Sequence, residues 1–449
     1  MEDLLVIILA AGEGTRMKSG YNKMIHKLAG EPMLNHVVDK ALQLTDDVIC
    51  VVGHQAEAVR KSVYCQESVE FVEQAEQLGT GDAVWQAKNH LQDHEGDCLV
   101  LYGDTPLIKL ETLKQLLRNH RNEKAGMSLL TATLNEPTGY GRIFRDENNN
   151  IVKIIEEDDT DNDTRKIKEV NAGVYSFDTQ LLLSSLKKVD NNNEQNEYYL
   201  TDVLDYISEE AALSSHNSSP DEIVGVNDRQ ALARAEKIIQ KRIRRKHMEK
   251  GVTLIDPERT YIEKDVNIGR DVIIYPGTVI KKGSKISEGC IIGPNCQLDA
   301  AKLAKEVQVK QGSIILNSEI DSGTQIGPYA HLRPGNKVGR KCKVGNFVEL
   351  KKTRVDKKSK IPHLSYVGDG NIGSGCNIGA GAIFANYDGE DKHKTVLGDE
   401  VFIGSNSTLV APVEIGDGAS TGAGSVVTKD VEDNSIVLGV PARFYKKKE

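Results

Sequence analysis

Aromatic side chains make up only 5% of this 449-residue chain, with one tryptophan. No apolar run approaches the ~18 residues needed to cross a bilayer, so a membrane protein is not expected. Cysteine is sparse too, with seven residues at 50, 65, 98, 290, 296, 342 and 376, an odd total lacking any C-x-x-C pair. Unpaired, reduced thiols in a cytoplasmic enzyme fit that pattern better than disulfides or a zinc site. Basic charge is not in excess, since 57 Lys and Arg face 66 Asp and Glu for a net charge of −9. No nucleic-acid or membrane-surface partner is therefore expected. The opening Met1-Glu2-Asp3 is acidic where a secretory signal is basic, and the apolar run from Leu4 to Ala11 breaks at Gly12.

What the chain does have is a period of six. Aliphatic residues recur at Ile262, Ile268, Ile274, Ile280, Ile286, Ile292 and Leu298, and after a phase slip at Ile314, Ile320, Ile326, Leu332, Val338, Val344 and Leu350. A helix repeats at 3.6 and a strand at 2, so neither accounts for it alone. Glycine follows the aliphatic residue at Gly269, Gly293, Gly327, Gly339 and Gly345, and later at Gly379, Gly404 and Gly416, as short strands joined by sharp turns require. The pattern predicts a parallel β-helix. Three hexads make a coil of about 18 residues, and roughly ten coils at ~4.8 Å spacing build a prism about 50 Å long.

The first half reads differently. Strand-like runs (Leu4 to Leu9, Asp47 to Val52, Val69 to Val72, Cys98 to Tyr102, Met127 to Leu134) alternate with helical ones (Pro32 to Leu44, Gly81 to Leu91, Leu110 to His120). That alternation predicts a Rossmann-like α/β domain, a mostly parallel sheet with helices on both faces and ligands at the carboxyl ends of its strands. The first strand runs into Ala10-Ala11-Gly12-Glu13-Gly14-Thr15-Arg16-Met17, a glycine-rich loop of the kind that cradles phosphates. It lacks the third glycine of a dinucleotide fingerprint and the G-K-S/T of a Walker loop. Asp104 ends the strand Cys98 to Tyr102, where a carboxylate suits either Mg²⁺ or a helix N-cap. Residues 227–250 read as a Lys- and Arg-rich helix, more consistent with a solvated linker than with a nucleic-acid surface. The expected domains are 1–228, a linker helix over 229–250, and 251–449.

Motifs sharpen this. Leu9-Ala10-Ala11-Gly12 with Gly14-Thr15-Arg16-Met17 resembles the opening of sugar-phosphate nucleotidyltransferases. Gln74-Ala75-Glu76-Gln77-Leu78-Gly79-Thr80-Gly81, Tyr102-Gly103-Asp104, Gly139-Tyr140-Gly141-Arg142, Glu156-Glu157, Asn171-Ala172-Gly173 and Gly225-Val226-Asn227-Asp228 follow in order. In the second half stand Gly327-Pro328-Tyr329-Ala330-His331-Leu332-Arg333, Val344-Gly345-Asn346-Phe347, His363-Leu364-Ser365-Tyr366, Asn377-Ile378-Gly379-Ala380 and Phe402-Ile403-Gly404-Ser405. Together they resemble the family of bifunctional N-acetylglucosamine-1-phosphate uridyltransferases / glucosamine-1-phosphate acetyltransferases.

The resemblance implies a left-handed β-helix and a homotrimer making UDP-N-acetylglucosamine, a cell-wall precursor, in the cytoplasm. Acetyl-CoA would acetylate glucosamine-1-phosphate, and UTP would then uridylylate N-acetylglucosamine-1-phosphate with release of pyrophosphate. It implies Mg²⁺ on Asp104 and Asn227, with Leu9, Ala10, Ala11, Gly12, Tyr102 and Gly103 around the nucleotide. Gln74, Gly79 and Thr80 would read the uracil, and Gly141, Glu156 and Asn171 the sugar. Lys23 and Arg16 would offset phosphate charge. In the acetyltransferase half His363 would be the general base, an amine needing a base near neutrality. Arg333, Lys351, Tyr366 and Asn377 would bind the sugar phosphate, and Ala380, Asn386, Tyr387, Ser405 and Ala423 the acetyl-CoA.

The chain departs from the family in three places. Asn22 replaces the usual proline before Lys23, which predicts a less rigid loop; Asp158-Asp159 follow the paired glutamates; and the tail reads Leu438-Gly439-Val440-Pro441-Ala442-Arg443. Two segments are expected to interrupt the prism, a cationic insertion from Lys351 to Pro362 and a loop near Asn386-Tyr387-Asp388-Gly389. The rival reading is a single-activity sugar-1-phosphate nucleotidyltransferase whose β-helix serves only oligomerisation.

Overall fold

In the computed structural model, which describes residues 3–447, the chain divides into two units at Ile239 and Gln240. The acidic start at Met1 and Glu2 lies outside the described residues.

The first unit is built on one sheet because its strands are apolar on both faces and need helices on each side. From edge to edge the strands run Leu213–Asn217, Met127–Thr133, Glu169–Asp178, Asp97–Tyr102, Leu4–Ala10, Val48–Val52 and Glu70–Glu73. All neighbours are parallel except the two pairings of Glu169–Asp178. The central strand Leu4–Ala10 is buried along its whole length, with Leu4, Val6 and Ile8 in one core layer and Leu5, Ile7 and Leu9 in the other. Each such side chain contributes on the order of 1.5–3 kcal/mol of burial. Helices differ in detail from expectation. Pro32 is the N-cap of Met33–Ala41, its ring ruling out an interior place, and the expected helix over residues 81–91 is two short ones, Thr80–Trp85 and Lys88–Asp93.

The helix Arg229–Glu249 straddles the division, with Leu232, Ile238 and Ile239 packed in the first unit and Ile243 against the core of the second.

Among the described residues the second unit is a left-handed parallel β-helix with faces of eleven, ten and nine strands. A single aliphatic column fills each face: Ile274, Ile292, Val309 and Ile326 on the first, Ile280, Leu298, Ile315 and Leu332 on the second, Ile286, Leu303, Ile320 and Val338 on the third. Two expectations need correcting. After Leu298 the inward residue is Ile315, fully buried and registered with Leu298, while Ile314 is half-buried on the outside. A side one residue short, from Leu298 to Leu303, shifts the phase there.

The same device explains Lys351 to Pro362, which is no insertion. Val355 follows Leu350 one residue early, Ile361 and Val367 restore the step, and all three faces continue unbroken through the segment. The loop after Ala385 does leave the prism, which resumes at Thr395. The tail folds as an antiparallel hairpin of Ser435–Gly439 and Ala442–Lys447.

Candidate active sites

In the first unit the carboxyl ends of three parallel strands surround a cleft of ≈ 240 Å³. Leu9, Ala11, Gly12, Lys23, Gln74, Gly79, Thr80, Tyr102 and Asp104 line it, with Ala10 buried at the strand end beneath. Gly103 donates its N–H to Leu9 O at 2.9 Å, so the turn carrying Asp104 is tied to the end of the central strand. The Lys23 ammonium donates to Asp104 Oδ2 at 2.5 Å and Asn227 Oδ1 at 3.0 Å. Two oxygens from distant segments thus converge on one cation. That donor set, one carboxylate and one amide oxygen, fits Mg²⁺ completed by phosphate and water better than a caged metal. Groups of three or more acidic, histidine or cysteine ligands are absent among the described residues.

Gln74 is buried, its amide donating to Gly79 O at 3.1 Å and Asp82 Oδ2 at 2.8 Å. Gly79 has φ +116°, and a Cβ there would lie 2.5 Å from Tyr198 O, so only glycine lets these two segments meet. Gly141, Glu156 and Asn171 also converge. The Asn171 N–H donates to Gly141 O at 2.9 Å, and Glu156 lies against Gly141 while accepting from Thr201 Oγ1 at 3.0 Å. Burial, helped by the charges of Asp202, Asp159 and Asp158, pushes the Glu156 carboxyl above its usual range, against the Thr201 bond that lowers it. Asp202 is pushed up to about 6, again chiefly by burial. Arg16 is exposed in the turn Thr15–Met17 and does not line the cleft.

In the second unit the turn between the first and second faces stacks five residues in a column. Leu364 N–H donates to Asn346 O, Gly381 N–H to His363 O, Asn406 N–H to Ala380 O and Gly424 N–H to Ser405 O, at 2.7–3.2 Å. Asn346, His363, Ala380, Ser405 and Ala423 therefore sit one above another. Exposed His363 meets Asn346 Oδ1 through Nδ1 at 2.5 Å. An oxygen acceptor requires the proton on Nδ1, which leaves the Nε2 lone pair free. The Ala380 N–H has no acceptor among the described residues.

On the adjoining second face, Lys351 registers with Gly368, and the Tyr366 hydroxyl and the Asn386 amide both lie over that glycine. Arg333 is held by Glu349 at 3.2 Å. The Lys392 ammonium, packed against Lys351 with Arg333 near, holds the Lys351 amine below its usual range. Lys392 is a residue that sequence reading missed. The returning loop brings it there, clasped by Asp388, which accepts from Glu390 N–H at 2.9 Å, Asp391 N–H at 2.8 Å and His393 Nε2 at 2.6 Å. Those donors, the two backbone N–H groups foremost, hold the Asp388 carboxyl well below the usual range. Tyr387 is exposed at the root of the loop. Asn377 is not brought to this cluster, since it lies on the first face in register with Lys360 and Phe402.

A larger concavity of ≈ 950 Å³ follows the third face, lined by more cations than carboxylates, some of them paired, as Lys302 is with Glu319 and Arg354 with Asp356. It holds none of the groups the chemistry needs.

Comparison with known proteins agrees with this division. A nucleotidyl transferase family model matches residues 5–221, and a bacterial transferase hexapeptide model matches 265–300 and 394–429. The chain is 48% identical to the bifunctional protein GlmU of Geobacillus sp. over 96% of its length and 94% of that protein. It is 45% identical to the GlmU of Acetivibrio thermocellus and 47% identical to that of Alkaliphilus metalliredigens, over 98% and 97% of this chain and 95% of each relative.

Proposed function

The chain belongs to the bifunctional GlmU family, and from that membership we propose that it makes UDP-N-acetylglucosamine by acetyl transfer followed by uridylyl transfer. The observation that carries this is the match to relatives through both halves at once, which disfavours a single-activity nucleotidyltransferase.

For acetyl transfer, the amine of glucosamine-1-phosphate attacks the thioester carbonyl of acetyl-CoA. His363 Nε2 takes the amine proton, with Asn346 fixing the ring through Nδ1. The free Ala380 N–H donates to the carbonyl oxygen as negative charge gathers there, and the C–S bond breaks to release CoA, whose sulfur takes the proton from His363 and leaves as the thiol. Arg333, Lys351 and Lys392 hold the phosphate, with Tyr366 and Asn386 beside it. Asn386, Tyr387, Ser405 and Ala423 border the acetyl-CoA groove. Asn377 stands on the first face beside the strand that carries His363, away from Arg333, Lys351 and Tyr366, and would meet the sugar phosphate from a neighbouring copy in the homotrimer this reading implies.

For uridylyl transfer, a phosphate oxygen of N-acetylglucosamine-1-phosphate attacks the α-phosphorus of UTP and pyrophosphate departs. Gln74, Gly79 and Thr80 orient the uracil, and Gly141, Glu156 and Asn171 the amino sugar. Asp104 and Asn227 would hold Mg²⁺, which supplies charge neutralisation on the triphosphate when bound. Were Asp104 so engaged, the Lys23 ammonium would be left to the phosphates, and Arg16 would add charge from its turn. No helix among the described residues is long and apolar enough to cross a membrane. A cytoplasmic location is part of the same proposal.

The test is a paired assay of pyrophosphate and free CoA on wild type, Asp104→Ala and His363→Ala. Asp104→Ala should lose pyrophosphate release and keep CoA release, and His363→Ala the reverse. Joint loss in either variant would sink the assignment.

A further inference from the structure

Where a proline would stiffen the turn before Lys23 covalently, this chain has Asn22, and that residue is 1% exposed. An asparagine buried so deeply costs free energy unless its polar atoms are matched. Here they are. Asn22 Nδ2 donates to His54 O at 2.7 Å, its Oδ1 accepts from Met24 N–H at 2.9 Å, and its own N–H donates to Gln55 Oε1 at 2.8 Å. The last of these bonds is closed to proline, which has no N–H. Asn22 also caps the short turn Lys23–Ile25, with φ −57°, the value a proline would impose.

The anchoring partner is itself fixed. Gln55 stands at φ +54° and donates to Gly20 O at 3.1 Å, closing a ring around residues 20–22. His54 donates its N–H to Ala11 O at 3.2 Å, so the same turn also holds the glycine-rich loop. From the other side the lysine stem packs on Gly14, at φ +67°, where a Cβ would come within 2.8 Å of Lys23 Cβ. The turn at 54–55 thus aligns the phosphate loop and the lysine that faces it.

We propose that Asn22 is a positioning residue for uridylyl transfer, acting through Lys23: its hydrogen bonds to His54 and Gln55 hold the lysine stem in the cleft, so that the ammonium stays beside Asp104 and Asn227 and within reach of the phosphates. The proposal rests on the role given to Lys23 above. Against the expectation of a looser loop it sets three hydrogen bonds in the place of a ring.

A mutant cycle tests it. Asn22→Ala should lower kcat for pyrophosphate release about tenfold, with a smaller change in the KM for UTP, because a displaced ammonium weakens the transition state more than substrate binding. CoA release by the same protein should be unchanged. In a Lys23→Ala background, Asn22→Ala should add less than twofold. A residue that merely holds the fold together would subtract the same factor in both backgrounds. Gln55→Ala, at an exposed position, should give a milder loss that is not additive with Asn22→Ala, and it serves as the probe if Asn22→Ala melts early. Asn22→Asp should not rescue, because a carboxylate oxygen would then face His54 O. Equal losses in the two backgrounds, or no loss in either Asn22→Ala or Gln55→Ala while Lys23→Ala is impaired, would overturn the inference. Full activity in Lys23→Ala would instead overturn the role of Lys23, and the inference with it.

Discussion

Arg333, Lys351 and Lys392 share one patch of the second face with only Glu349 and Asp369 to offset them, and the remaining repulsion is relieved when a dianion arrives. Lys392→Ala should therefore raise the KM for glucosamine-1-phosphate about tenfold, the scale of one charge-assisted hydrogen bond, and leave kcat within a few fold. Steady-state CoA release against sugar phosphate measures this, and an unchanged KM would remove Lys392 from the site. Residues such as Asp104 and His363 could be singled out in the sequence because motifs surround them. Lys392 could not, since a loop length does not say where the chain returns. Asn346 stayed hidden for a related reason, its bond to His363 arising only from coil register. Asn22 was visible as a departure, but not the three bonds that make up for the missing ring.

Regular elements were the most legible part of the chain. A six-residue period has few physical solutions, and the apolar strands of the first unit similarly demanded a sheet covered on both sides. What the period left ambiguous was phase. With Ile314 and Ile315 adjacent, either could continue the pattern, and only coil-to-coil register chooses between them. Ile315→Ala should cost about 2–5 kcal/mol, as for a buried aliphatic leaving a cavity, whereas Ile314→Ala should cost less than about 1 kcal/mol. Denaturant midpoints of the two variants check the assignment, and equal costs would contradict it. The supposed cationic insertion failed for the same reason, a missing residue in one side looking like an interruption.

Across the whole chain the seven thiols report on both units. Cys50 and Cys98 lie in the sheet, and Cys290, Cys296, Cys342 and Cys376 line the prism interior. Burial pushes Cys50 up to about 12 and Cys290, Cys296 and Cys342 up to about 11, so each stays a thiol at neutral pH. Within the prism they donate to carbonyls of the next coil, as Cys342 does to Asp356 O at 3.0 Å. Only Cys65 is not buried. Alkylation at neutral pH should label about one thiol per native chain and all seven after unfolding, read by intact mass. Faster labelling of any prism cysteine would mean that the interior opens.

Because each strand of the prism hydrogen-bonds only to its upper and lower neighbours, the architecture has no preferred length. Whole turns could be gained or lost between Ile262 and Ile326 as beads are on a string, and the chemistry beginning at Arg333 would keep its shape. A single-residue deletion within a strand is another matter, since it would turn polar side chains inward. Length in this half can thus change by a whole turn, or by one residue at a corner as between Leu298 and Leu303, but not by one residue inside a strand.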